Sequence, residues 1–118
     1  MNFLNMMICS CIRKTLIMEE LKLRVDSKKL ERAAYVLKAV AHPVRIGIID
    51  LLDQRNDISV NELCELLNCE QSLISHHLIK MRDKGILEAK REGKNIYYSL
   101  TDKTITNIIE CINDCDQF

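Results

Sequence analysis

VNELCELLNCEQSLISHHL, Val60 to Leu78, is the stretch on which the fold turns. Val60, Leu63, Cys64 and Leu67 recur at helical spacing, and Ser59 or Asn61 stands where an N-cap is wanted. Asn68 tolerates the left-handed conformation that ends a helix. A second helix then starts at Glu70 or Ser72, turns Ile74, Leu78 and Met81 inward, and stops at Gly85. Two short helices joined this tightly read as a helix-turn-helix. The second carries Gln71, Ser72, Ser75 and His76 on its first turns, with Lys80 and Arg82 behind them. Short polar side chains at that end suit base edges in a major groove, and the cations behind suit phosphates. Gln can bond an adenine edge bidentately, and Ser can serve either base type.

The segment that follows, ILEAKREGKNIYYSL from Ile86 to Leu100, has the alternation of a β-hairpin. Ile86-Leu87 and Ile96-Tyr97-Tyr98 read as strands around the turn Arg91-Glu92-Gly93-Lys94. Lys90, Arg91 and Lys94 are then expected at the hairpin tip, within reach of DNA backbone or minor groove. Upstream, Ser27 is positioned to cap a helix to about Ala41, with Leu30, Ala33, Ala34, Leu37 and Val40 as an apolar stripe. That stripe is generous for so short a helix and could serve a subunit interface. Pro43 opens a second helix whose inner face is Val44, Ile48, Leu51 and Leu52. Downstream, Thr101 or Asp102 caps a last helix bearing Ile105, Ile108, Ile109 and Ile112. The expected fold is mainly α: a winged helix-turn-helix of about five helices plus a two-stranded β-hairpin wing.

Composition agrees. A chain of 118 residues allows one domain with little room for a deep pocket. Formal net charge is zero, yet Ile79 to Asn95 holds six basic residues against three acidic ones. Counterion release depends on the local face, so overall neutrality does not exclude DNA. The six cysteines fall mostly inside helical patterns, which points to free thiols in a reducing cytoplasm and not to a secreted disulfide scaffold. Residues 2–12, NFLNMMICSCI, are too short an apolar run to span a bilayer, and their positive charge follows where a secretory signal needs it first. Initiation at Met18 would leave residues 1–17 as a non-native or disordered extension, Cys9 and Cys11 without function, and residues 18–118 as the domain. His76 and His77 are adjacent, so on a helix they point about 100° apart and do not share an ion easily. His76 is expected to face DNA or solvent, and His77 to be partly packed.

Ala41-His42-Pro43-Val44-Arg45, ELLNCEQSLISHHLIKMRDKGIL and REGKNIYYSLTD together resemble the ArsR/SmtB family of bacterial winged-helix repressors. The resemblance runs from about Leu30 to Cys115. It implies a homodimer formed by the first and last helices, an inverted-repeat operator on double-stranded DNA, and release by an inducer. The family's thiol motif at the start of the third helix has Ser59 where its leading Cys would fall. At its zinc site in the last helix, Asp102 is kept, Thr104 replaces a His, Cys115 falls at the distal His position and Phe118 replaces the final ligand. Its sulfide- and redox-sensing pair needs a second-helix Cys, and Asp50 stands there. The resemblance therefore leaves the inducer open.

Cys64 and Cys69 read as small buried hydrophobes of the helix-turn-helix. Cys111 and Cys115, spaced i, i+4, could grip one soft ion. The residues name no definite cofactor; the signal these thiols would take is a thiophilic metal ion or metalloid, or a reactive sulfur or redox signal. Two small apolar residues in a dimer seam would look the same in sequence. The competing functions are a constitutive or partner-tuned DNA binder with no small inducer, and a protein-interaction module reusing the winged helix. Enzymes are disfavoured, since the chain has no Gly-rich phosphate loop and no nucleophile–base–acid set.

Overall fold

The computed structural model describes residues 22–116; residues 1–17, read above as an extension, lie outside them. The chain divides into two units at residues 33 and 34, a boundary that falls within the range of helix α1 (Ser27–Val40). Within the first unit the cap of α1 is Asp26 and not Ser27. The Asp26 Oδ1 accepts from the backbone N–H of Lys29 at 2.8 Å, filling one of the orphan donors of the first turn. Of the sequence-read stripe only Val40 is buried, joined by Ala39; Leu30 and Leu37 are exposed.

The second unit is the winged domain. Helix α2 (Pro43–Gln54) opens on Pro43, whose absent N–H would be unsatisfied there anyway. His42 precedes it in an extended conformation, and its Nδ1 accepts from the Val44 N–H at 3.1 Å, so a histidine acts as the cap. Ile48, Ile49 and Leu52 are buried, with Val44 and Leu51 packed at the edge of the core. Ile49 is the addition to the sequence reading.

Strand β1 (Ile58–Ser59) leads directly into helix α3 (Val60–Leu67). Ser59 and Glu62 form a capping box: the Ser59 hydroxyl oxygen accepts from the Glu62 N–H at 3.2 Å, while the Glu62 carboxylate accepts from the Ser59 N–H at 3.4 Å. Arg55 donates to the same carboxylate at 2.7 Å and, with Ser59, holds it below its usual range. Asn68 ends α3 at φ 52°, ψ 49°, the left-handed residue that the sequence called for.

Helix α4 (Gln71–Asp83) follows after three residues, turning Ile74, His77, Leu78 and Met81 into the core. It ends at Gly85 in a Schellman arrangement: the Gly85 N–H reaches the Arg82 carbonyl at 2.9 Å and the Ile86 N–H the Met81 carbonyl at 3.0 Å. Gly85 sits at φ 81°, where a Cβ would be strained.

The wing is three-stranded, not two-stranded: β1, β3 (Asn95–Leu100) and β2 (Leu87–Glu92) lie in the order β1-β3-β2, all antiparallel. β1 pairs Ile58 with Tyr98 and Ser59 with Tyr97, which fixes the wing against the start of α3. Because Glu92 pairs with Asn95, the hairpin turn is only Gly93-Lys94.

The last helix also begins later than expected. Asp102 caps a 3-10 turn over Lys103–Thr106, and helix α5 runs Asn107–Asp114. No residue of α5 is buried; Ile108, Ile109 and Ile112 are half-buried. The core proper lies under α4, where Ile48, Leu52, Ile58, Leu63, Ile74, Leu78 and Met81 meet.

Candidate nucleic-acid interface

The outer face of α4 follows from its inner one. With Ile74, Leu78 and Met81 inward, the 100° step per residue puts Ser72 and His76 on the opposite crest. Both are exposed, as are Gln71, Lys80 and Arg82; Ser75 is half-buried. Arg82 lies 3.5 Å from the Asp83 carboxylate, an exposed pair of little energetic weight that leaves the guanidinium available to phosphate.

The wing residues divide differently from the sequence reading. Lys90 and Arg91 are both strand residues, opposite Tyr97 and Ile96, and only Lys94 lies in the turn. Successive strand side chains point to opposite faces. Arg91 therefore shares the face of Leu87, Tyr98 and Ile96, the face that continues into the core. Lys90 shares the other with Glu88 and Glu92, and its Nζ lies 3.3 Å from the Glu92 carboxylate. A hairpin tip carrying all three cations together is thus corrected to Lys94 at the turn, Arg91 on the helix side and Lys90 on the outer side.

An open pocket of about 110 Å³ joins the two elements, lined by Val60, Asn61, Gln71, Lys94, Asn95 and Ile96. It places the polar start of α4 beside the basic turn of the wing. Asn61, Asn95 and Ile96 were not read as part of this surface. Only the pairing of β1 with β3 brings them there, and a two-residue strand leaves no periodic signal in sequence.

A family profile described as "Bacterial regulatory protein, arsR family" matches residues 42–89. The chain is 36% identical over 90 residues to the transcriptional repressor PagR of Bacillus anthracis, spanning 76% of this chain and 90% of PagR. It is 33% identical over 84 residues to the regulator YgaV of Escherichia coli, spanning 71% and 85% of the two chains. The crystal structure of PagR superposes with a TM-score of 0.66 over 75% of this chain and 100% of that one. HlyU from Vibrio cholerae gives 0.68 at 31% identity, over 75% and 95%.

The chain belongs to the arsR family. Its members are DNA-binding transcription regulators and not enzymes, so this chain is a DNA-binding transcriptional regulator with the winged helix-turn-helix fold. Among the described residues no helix is long and apolar enough to cross a membrane.

The residues that an arsR-family inducer could address are less well assembled. Asp102 is occupied in capping: one carboxylate oxygen accepts from the Thr104 N–H at 2.9 Å and from its hydroxyl at 2.8 Å, which holds the acid below its usual range. Cys111 lies in α5 and is exposed, whereas Cys115 is the extended residue that caps the helix and is half-buried. The regular helix therefore stops one residue short of the second thiol. Among the described residues no three His, Cys, Asp or Glu side chains gather to hold a metal ion. Cys64 and Cys69 pack at the edge of the core, the Cys69 thiol donating to the Leu67 carbonyl at 3.3 Å. Burial, and then the neighbouring Cys69, push the Cys64 thiol up, which makes it a poor nucleophile.

Proposed function

We propose that the chain works as a homodimeric repressor, binding an inverted-repeat operator and releasing it when an inducer reaches the last helices. Each α4 enters one of two successive major grooves about 34 Å apart. Gln71, Ser72, Ser75 and His76 meet base edges, while Lys80, Arg82, Arg91 and Lys94 meet phosphates; Lys90, on the outer strand face, contributes longer-range charge. The observation that carries this reading is the open pocket around which Gln71, at the start of α4, stands together with Lys94 and Asn95 of the wing. Dimerisation is supported by the apolar surface that one chain leaves uncovered: Tyr35 and Leu37 on α1 are 47% and 51% exposed, and no residue of α5 is fully buried. A DNA target places its work in the cytoplasm.

Hydroxyl-radical footprinting on a duplex selected from a random pool by the wild-type protein tests this. Two protected stretches on one face of the duplex, centred about 10 base pairs apart, are expected. A single stretch would contradict the dimer, and no protection would contradict DNA reading.

The inducer is assigned to Cys111 and Cys115, with any third ligand supplied by the partner subunit and Asp102 kept as a cap. Soft thiolates select thiophilic ions. Titrating Zn(II) or As(III) into the complex is expected to weaken wild-type binding about 5- to 150-fold. Binding by Cys111→Ser/Cys115→Ser is expected not to change. Equal release of both proteins would remove the thiols from sensing. A wild-type protein indifferent to both ions would favour the constitutive binder.

A further inference from the structure

One buried group has no role in the surface just described. His77 is 4% exposed, on the core side of α4, and packs against the His42 ring with centroids 4.3 Å apart and the planes tilted by 42°. Its Nδ1 lies 3.0 Å from the Arg45 Nε. Arginine can only donate, so Nδ1 accepts and the ring proton sits on Nε2. That Nε2 is buried and meets no hydrogen-bond partner. The neutral ring thus tolerates one unsatisfied donor in order to receive the guanidinium. The same Arg45 donates through Nη1 to the Ala39 carbonyl at 2.9 Å, next to the last residue of α1. One side chain on α2 therefore bridges the end of α1 and the middle of α4. Further along, the Lys84 Nζ lies 4.9 Å from the centroid of the Tyr35 ring, a second tie between the end of α4 and α1.

We propose that Arg45 is a positioning residue for operator reading: through the neutral His77 ring it locks α4 to the end of α1, and acid opens the lock. This rests on α4 being the helix that enters the groove. A doubly protonated ring would turn an N–H toward the Arg45 N–H and set two positive charges about 3 Å apart, so the bridge and the charged ring exclude one another. The titratable or charged groups that act on His77 are His42 ahead of α2, Arg45 on α2 and His76 on its own helix. α3 and β2, also packed on α4, contribute none of these influences. Burial, then His42, Arg45 and His76, all lower the His77 pKa from its ordinary 6.5. With the locked-state pKa depressed, the lock is present above pH 6.5 and is lost as pH falls through the lowered value.

The test measures affinity for a duplex selected by the wild-type protein, by fluorescence anisotropy between pH 5 and 8, with circular dichroism confirming the fold at each point. Wild-type affinity is expected to fall below about pH 6.5. Arg45→Lys offers one point-like donor group in place of a planar fork and cannot hold both acceptors in plane. It is expected to bind about tenfold more weakly at pH 7.5. His77→Asn keeps an acceptor in place of Nδ1 but does not titrate, so it should bind near wild type at pH 7.5 and lose the acid fall. Wild-type affinity in Arg45→Lys, or an unchanged acid fall in His77→Asn, would overturn the proposal. Ser75→Ala/His76→Ala on the same duplex separates the two readings. If that variant binds like wild type, α4 is not in the groove and the proposal falls with it. If it fails to bind while Arg45→Lys is unaffected, the lock alone is refuted.

Discussion

Replacing Leu78 with alanine is expected to lower the unfolding free energy by about 3–5 kcal/mol, and the melting midpoint by roughly 10 °C or more at fixed protomer concentration. Leu78 is fully buried on the inner face of α4, beside Ile74 and Met81. α4 itself packs against α2, α3 and β2, so the side chain sits where four elements meet and no single one can move in to fill the gap. Truncation removes the transfer energy of the deleted carbons and adds a cavity term. Chemical denaturation of the full chain measures it; a loss below about 1 kcal/mol would mean that α4 is not held as described.

The contrast with the outer face of the same helix is informative. At position 78 the helix buys fold, and at Ser72 or His76, half a turn around, it presents side chains to solvent. A substitution on one face should therefore change stability and leave specificity alone, and the reverse should hold on the other.

The two faces of α4 were readable because their logic is local. Ile74, Leu78 and Met81 repeat at helical spacing, and Gly85 and Asn68 stop helices by backbone conformation that few other residues accept. Asn68 even adopts the left-handed geometry that its side chain type suggests. What escaped the sequence reading depends on partners far along the chain. Ile58-Ser59 becomes a strand because Tyr98 and Tyr97 lie opposite, forty and thirty-eight positions later by their numbering, and nothing within two residues can announce that. The pairing of the hairpin likewise decides that Lys90 and Arg91 are strand residues, which the pleat then turns to opposite faces, whereas composition only shows a basic cluster.

Polar residues in the core were the other blind spot. His77 is buried beside its apolar neighbours, but its residue type masks the periodicity it belongs to. Arg45 was visible only as part of a run resembling other regulators, with no role until Ala39 and His77 were found on either side of it. On α1 the apolar stripe was real in sequence, yet most of it is uncovered in the single chain.

The central claim is that α4 reads base edges, and the double substitution Ser75→Ala/His76→Ala tests it most directly. Each lost base contact costs about 1–3 kcal/mol of discrimination, and a dimer loses it at both half-sites. Removing two residues from each helix should thus exceed about 4 kcal/mol, roughly a thousandfold, and bring affinity down to the non-specific level. Neither side chain is part of the buried core, so the melting midpoint should stay close to wild type. Anisotropy titration of the variant, on a duplex selected by the wild-type protein and against a scrambled duplex at the same salt, gives the answer. Equal affinity for both duplexes, with the fold intact, is the predicted result; preference for the selected duplex retained at wild-type strength would contradict it.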